Sequence, residues 1–210
     1  MPLLILSFSG SAPPRAIARV AARGCPSAAA ALRAGKALGA AEARYLLESQ
    51  GAVIHTDLRQ LAHDTVLIDA LSAGRLTSAL AEANRQLVRH VVRIQVSRGS
   101  RLLLDANPTS FDVGGSGVQL HAANGTSLGR LQITVQDVIG FIKLVHKLNA
   151  ADVVVRGAQG QVRTSLPAAT KVSLPPSGCT QIGSRRYVVR SFNETGFTGE
   201  ALTVWLLTAA

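Results

Sequence analysis

The stretch 91–105, VVRIQVSRGSRLLLD, marks the point where the sequence changes from a helical to a strand pattern. In VVRIQV at 91–96 every second residue is apolar, which predicts a strand with one buried face. SRGS at 97–100 predicts a hairpin turn, because Gly99 can adopt a positive φ at little cost. RLLLD at 101–105 then predicts the returning strand of an antiparallel pair.

Helices are predicted on the amino-terminal side of this stretch. The segment 27–49 is rich in alanine and other helix formers, with Ser27 as a candidate N-cap and Gly51 as a candidate stop. The segments 57–71 and 75–90 each carry apolar residues at helical spacing. These patterns predict three helices before the first strand.

On the carboxyl-terminal side, short alternating segments predict strands separated by turns and one helix. The predicted strands are 118–122, 130–136, 152–156, 161–165, 185–192 and 201–207, and the helix is 137–148, with Asp137 as its cap. Hairpin turns between successive strands favour an antiparallel α+β sheet of about five or six strands, preceded by helices. Three regions follow from this order: an export segment or disordered N-terminus at 1–26, a helical region at 27–89, and an α+β domain at 90–210.

The composition is that of a folded protein, with 47% hydrophobic and 16% charged residues. The formal net charge of +10 is spread along the chain, since 10 of the 22 Lys and Arg residues lie within residues 1–90. Nucleic-acid-binding proteins usually concentrate basic residues and interleave aromatics, which make up only 4% here. We therefore expect no nucleic-acid partner.

The two cysteines, Cys25 and Cys179, match no metal-binding spacing. They could form a disulfide in an exported protein, or they could be unrelated, and Cys25 as a lipid-anchor site is a third alternative. The N-terminal run Leu3–Phe8 is apolar but short for a signal peptide and has no basic residues before it.

Motifs for catalysis and cofactor binding are not found in the sequence: there is no GxSxG, HExxH, P-loop or GxGxxG. The histidines are scattered and the carboxylates form no pair at a telling spacing; the histidines are His55, His63, His90, His121 and His146. We therefore expect no enzyme, no bound metal and no cofactor.

Two predicted strands carry polar residues that alternate with an apolar set. On 130–136 these are Gln132, Thr134 and Gln136, while on 185–192 Arg190 and Phe192 alternate with Tyr187 and Val189. Such a polar face either meets water or lines a ligand cavity, and the sequence leaves both open.

The arrangement resembles the Cache family, the extracytoplasmic PAS-like ligand-binding domains of bacterial receptors. VVRIQVSRGSRLLLDAN at 91–107 resembles its opening hairpin, and GTSLGRLQITVQDVIGFIKLVHKL at 125–148 its third strand and sheet-crossing helix. The stretches at 150–167 and 183–209 resemble its next hairpin and its final strand pair. The resemblance covers about residues 75–210 and is to the single-module, stand-alone form of soil actinobacteria.

The resemblance implies an extracytoplasmic module that senses a small organic ligand, with anions among the candidates, and that acts with a separate signalling partner because no output module follows. A homodimer through the N-terminal helices is also implied. The alternative is a structural or interaction protein that uses the same fold without a ligand. The predicted ligand-binding residues are Gln132, Thr134, Gln136, Phe141, Tyr187, Arg190 and Phe192. Phe141 is the expected lid, and Arg190 is the expected partner of a ligand carboxylate.

Overall fold

The computed structural model describes residues 28–87, 91–108 and 112–210. Within these ranges the helices are α1 (Ala28–Gln50), α2 (Ala52–Ala62), α3 (Thr65–Ser72), α4 (Leu76–Gln86) and α5 (Val138–Asn149). The strands are β1 (Arg93–Arg98), β2 (Arg101–Ala106), β3 (Ser116–His121), β4 (Ser127–Thr134), β5 (Asp152–Gly157), β6 (Val162–Thr164), β7 (Ser177–Ile182), β8 (Arg185–Thr195) and β9 (Ala201–Ala209). A short 3₁₀ helix spans Pro167–Ala169.

All strand pairs are antiparallel, which confirms the predicted α+β class. The strands form two sheets, where the sequence led us to expect one. The first has the order β2-β1-β4-β3 and the second the order β6-β5-β9-β8-β7. The predicted hairpins β1–β2, β3–β4, β5–β6 and β8–β9 are all present.

The first sheet packs against α2, α3 and α4, and together they form what we call the first lobe. Its core is apolar and contains buried residues from each of these elements, such as Leu58, Leu67, Ala79, Ile94 and Leu131. The alternation seen in the sequence explains the packing, because one face of β1 and β4 is apolar and covers the helices. Helices of the region 27–89 and strands of the region 90–210 therefore share one core.

The second sheet packs against α1 and α5, and together they form the second lobe. The helix-facing core includes Leu38, Phe141, Val145, Val153 and Val204. The opposite face is covered by the segment after β6, where Ala169 and Leu174 join residues of the strands in a third cluster. β5 is thus buried on both faces, as its unbroken apolar run predicted.

The second predicted helix, 57–71, is two helices in the structure. α2 begins earlier, at Ala52, and ends at Ala62. The carboxylate of Asp64 accepts a hydrogen bond from Leu67 N at 2.9 Å and so caps α3 as a new helix. The cap of α5 is as predicted, because Asp137 accepts from Gly140 N. The expected cap at Ser27 lies outside the described residues.

β7 is a strand that the sequence did not indicate. It begins at Ser177, between the predicted strands 161–165 and 185–192, and pairs with β8 over its whole length. Its sequence, SGCTQI, is mostly polar and its residues are largely accessible, so it lacks the apolar alternation on which strand prediction depends.

No helix among the described residues is long and apolar enough to cross a membrane.

Candidate functional site

A cavity of about 910 Å³ lies between α2, α3 and β3 in the first lobe. The α2 wall consists of Ala52, His55, Thr56, Leu58, Arg59 and Ala62, together with His63, which follows the helix. α3 contributes Thr65, Ile68 and Asp69. The strand wall consists of Gly117, Val118, Gln119, His121, Ala122 and Ala123. A volume near 900 Å³ is at the upper end of the range for small-molecule sites.

The cavity runs along the edge of the sheet and does not lie on one face. Successive residues of a strand point to opposite faces, yet both Val118 and its neighbours Gly117 and Gln119 line this cavity. β3 is also the outermost strand of the first sheet. The site is therefore a groove, bounded by a helix on one side and an edge strand on the other, which we call the edge groove.

Basic side chains form a row along the α2 side of the edge groove. His55, Arg59 and His63 follow each other at intervals of four residues, which places them on one face of the helix. Among the described residues, the side chain of Arg59 makes one long hydrogen bond, in which its Nη2 donates to Thr56 Oγ1 at 3.5 Å. The strand contributes a further imidazole, His121, while Asp69 is the carboxylate in the lining.

The sequence pattern does not indicate this site, because its histidines are scattered along the chain. The spacing of four between His55, Arg59 and His63 was a usable signal for α2. No local signal indicated that β3, more than fifty residues later in the chain, would form the opposite wall.

A buried ionic cluster joins the two lobes. Nε and Nη2 of Arg93 donate to the two carboxylate oxygens of Asp105 at 2.9 and 2.7 Å, and Nη1 donates to Asp112 Oδ2 at 3.0 Å. The guanidinium also lies 4.9 Å from the ring centre of Phe197, in the turn between β8 and β9. Hydrogen bonding to Asp105 and Asp112 outweighs burial and raises the pKa of Arg93, so its charge is fixed.

A second, smaller cavity of about 220 Å³ lies beside this cluster. Its lining is mostly backbone and polar side chains: Gln50, Gly114, Gly115, Gln132, Glu194, Thr195, Gly196, Phe197 and Gly199. Burial raises the pKa of the Glu194 carboxyl, and the nearby charge of Glu42 raises it further. This lining offers polar groups but little apolar surface to hold an organic ligand.

Because its charged form is disfavoured, Glu194 should make the folded protein less stable at neutral pH. We expect Glu194→Gln to raise the melting temperature at pH 7 by about 1–2 °C, the usual scale of a partly exposed substitution. The gain should disappear as the pH falls and the wild-type carboxyl becomes protonated. Calorimetric melting at pH 7 and pH 3.5 measures both values, and a Gln variant that is less stable at pH 7 would contradict the assignment.

The three polar residues predicted on β4 have different environments. Gln132 lines the small cavity, whereas Thr134 is buried and donates to the carbonyl oxygens of Val113 and Gly114 at 3.2 and 3.0 Å. The side chain of Gln136 lies against Gly140 in the first turn of α5. Thr134 thus holds the segment that leads into β3.

The other four predicted residues lie in the second lobe. Phe141 and Tyr187 are fully packed, 0% and 3% exposed, on opposite faces of the second sheet. Phe192 is partly buried against the helix-facing core. Arg190 meets a protein carboxylate: its Nη2 lies 2.7 Å from Glu42 Oε2 of α1, and its side chain is half exposed.

The structure does not gather these seven residues around one cavity. A pocket between β4 and β8 requires the two strands to be neighbours, but they belong to different sheets. Of the seven, Gln132 lines the small cavity, and the other six line neither the small cavity nor the edge groove. Phe141, expected to be a lid, is a core residue, because α5 lies on the second sheet and not over β4.

Ser165, Asp152 and His146 lie together beside β5 but are not arranged for nucleophilic catalysis. The Ser165 hydroxyl donates to Asp152 Oδ1 at 2.8 Å, and His146 Nδ1 lies 3.3 Å from the same oxygen. In a catalytic triad the histidine stands between the serine and the carboxylate. Here the carboxylate takes the middle position, so His146 is not placed to accept the serine proton.

Across residues 28–87, 91–108 and 112–210, no group of three or more His, Cys, Asp or Glu side chains could hold a metal ion.

No protein-family model matches the sequence. No curated protein matches it either. Solved structures do match. The periplasmic domain of Vibrio cholerae LuxQ superimposes with a TM-score of 0.53 at 11% identity, covering 86% of this chain and 100% of that domain. The sensor domain of the V. cholerae histidine kinase DctB gives 0.48 at 13% identity, over 87% of this chain and 98% of that one.

The ligand-binding domain of the Pseudomonas fluorescens chemoreceptor CtaA, solved with L-alanine, gives a TM-score of 0.35 at 8% identity, over 72% of this chain and 87% of that one. The similarity to LuxQ is one of fold and extends over the whole of that domain. The chain therefore shares the α+β fold of the LuxQ periplasmic domain.

Proposed function

We propose that this chain is an extracytoplasmic sensing module that binds a small organic ligand in the edge groove. The observation that carries the proposal is the groove itself, about 910 Å³ with apolar walls and a row of basic side chains. It lies in a chain that shares the fold of the LuxQ periplasmic domain. Fold alone does not give function, so the proposal depends on the site.

Two features support a location outside the cytoplasm. The fold is shared with a periplasmic domain, and Cys179 is in a disulfide, the form favoured in oxidising compartments. The other cysteine of the sequence, Cys25, lies outside the described residues. Fractionation with peptide mapping under non-reducing conditions tests the location, and we expect an exported protein with Cys25 linked to Cys179. A cytosolic pool with two free thiols would contradict it.

A thermal-shift screen tests ligand binding. We expect a member of a panel of organic acids, amino acids, amines and short peptides to raise the melting temperature. At a hundred times its dissociation constant, a ligand stabilises the native state by about 2.7 kcal/mol, or about 5–10 °C for a chain of this size. The panel is run on the wild-type protein and on two tryptophan variants.

Val118→Trp should fill the edge groove and remove the shift, because Val118 lines the groove and is 36% exposed. Leu102→Trp is the matched control, since Leu102 is exposed on β2, at the opposite edge of the same sheet. A shift that survives Val118→Trp would place the ligand elsewhere. If no compound shifts any of the three proteins, the proposal fails.

The alternative, an interaction protein, is supported by an apolar surface on α1. Two sets of small or apolar residues on α1 are spaced by seven: Leu32, Gly39 and Leu46, and Ala40 and Leu47. The side chains of Leu32, Leu46 and Leu47 are 65%, 44% and 56% exposed. Repeats of seven are typical of helices that pair with another helix. We propose that a second copy of this chain covers this surface, as a dimer through α1.

Leu47→Glu should convert such a dimer into a monomer, because it places a charge in an apolar contact between helices. Light scattering after size exclusion measures the mass. Ile139→Glu is the control, since Ile139 is 49% exposed, close to the 56% of Leu47, but lies on α5. A wild-type protein that is monomeric at high micromolar concentration would contradict the dimer and leave the groove proposal intact.

A further inference from the structure

The strand wall of the edge groove offers backbone hydrogen-bonding groups. In the part of the chain that the structure describes, β3 pairs with β4 and has no strand on its other side. In such an edge strand, the N–H and C=O groups of every second residue point away from the sheet and have no partner strand. Here the space alongside is the groove.

The groove is long enough for a short peptide. On the helix side it extends from Ala52 to His63, about 16 Å at 1.5 Å per residue. On the strand side it follows Gly117 to His121, about 13 Å at 3.3 Å per residue. These lengths match four to five residues of an extended peptide.

The side chains that face the groove favour a ligand with carboxylates and apolar groups. Arg59 is a fixed cation, and the imidazoles of His55, His63 and His121 can donate hydrogen bonds to an anion. Asp69 is the opposing carboxylate in the lining. Leu58, Ile68 and Val118 supply apolar contacts between these groups.

We propose that the ligand of the edge groove is a short acidic peptide that binds in extended form as an added strand beside β3. The inference rests on the proposed function and specifies the ligand class of the same site. Strand addition to an exposed edge is a recurring mode of peptide recognition, in which main-chain hydrogen bonds give affinity and side-chain contacts give selectivity. A compact organic acid would satisfy Arg59 but not the regularly spaced backbone groups of β3.

The test uses the full chain and pentapeptides of defined sequence, measured by isothermal titration calorimetry. We expect Val-Glu-Val-Glu-Val to bind at least tenfold more tightly than Val-Lys-Val-Lys-Val, and more tightly than succinate or glutamate. Arg59→Gln should weaken binding of the acidic peptide at least tenfold. Lys143→Gln, on the exposed side of α5, should leave binding unchanged.

Two N-methylated versions of the acidic peptide test the strand pairing directly. An added strand uses the N–H groups of every second residue, so methylation of one alternate set should abolish binding while methylation of the other is tolerated. Equal affinity of both versions, or succinate binding as tightly as the peptide, would overturn the inference. If no peptide binds while another compound shifts the wild type in the thermal screen, the inference fails and the proposed function stands.

Arg59 is exposed and Arg59→Gln is expected to fold, which its melting temperature will show. Hydrogen exchange provides a measurement that needs no variant. A bound peptide should slow exchange at alternate amides of Ser116–His121, whereas binding elsewhere would leave these amides unchanged.

Discussion

Arg93→Ala is expected to lower the free energy of unfolding by about 3–5 kcal/mol, the scale of breaking a buried ion pair on one side. The variant leaves two carboxylates, Asp105 and the fully buried Asp112, without their cation. It also removes the contact between the guanidinium and Phe197. Chemical denaturation measures the loss.

Arg101→Ala is the control, because Arg101 lies on β2 in the same hairpin but is exposed. Its effect should stay within about 0.5 kcal/mol. Arg93→Lys should fall between the two, since lysine keeps the charge but cannot form the paired hydrogen bonds to Asp105. A loss below about 1 kcal/mol for Arg93→Ala would show that the cluster does not stabilise the fold.

The cluster joins elements that are distant in the chain. Arg93 and Asp105 belong to the first lobe, Asp112 to the segment before β3, and Phe197 to the β8–β9 turn of the second lobe. A backbone hydrogen bond strengthens this connection, since Phe197 N donates to Asp112 O at 3.3 Å. Loss of Arg93 is therefore expected to loosen the connection between the lobes as well as to destabilise the first.

Phe141→Ala is expected to lower the free energy of unfolding by about 3–5 kcal/mol, the usual loss when a buried phenylalanine is truncated. Phe141 is fully buried among residues of α1, α5 and the second sheet. Ile139→Ala is the matched control on the same helix, since Ile139 is 49% exposed. Urea denaturation of the two variants provides the comparison.

The same variant separates the core role of Phe141 from the lid role that the sequence suggested. A lid would show weaker ligand binding with almost unchanged stability. A core residue shows the reverse, with reduced stability and, at temperatures where the variant stays folded, unchanged affinity in the edge groove. Weak binding with a stability loss under 1 kcal/mol would contradict the packing described above.

The hairpins were predictable because their signals are local. Gly99 lies in the turn of β1 and β2, and β1 alternates in polarity just before it. The division into two sheets was not predictable, since it depends on pairs such as Gln95 with Gln132 and Val154 with Trp205. These residues are far apart in sequence, and no local sequence pattern indicates which strand each will pair with.

The sites were less predictable than the hairpins. Arg93 and Asp105 lie on one face of the β1–β2 hairpin because a bulge beside Val96 and Ser97 shifts its register. Without the bulge Asp105 would pair with Ile94, so the hairpin pattern alone does not predict their contact. The edge groove could not be predicted from a local pattern. α2 supplies the basic row, but the strand opposite it is known only once the order of the first sheet is known. The residues predicted on β8 failed to join those on β4 for the same reason.

The most direct test of ligand binding in the edge groove is to map the ligand on the protein by backbone-amide chemical shifts, using the compound with the largest thermal shift. We expect the largest changes in Ala52–Ala62 and Ser116–His121, the two walls of the edge groove. They should be absent in Val118→Trp. Changes concentrated in Arg185–Thr195, or around Gln132 and Glu194 at the small cavity, would contradict it.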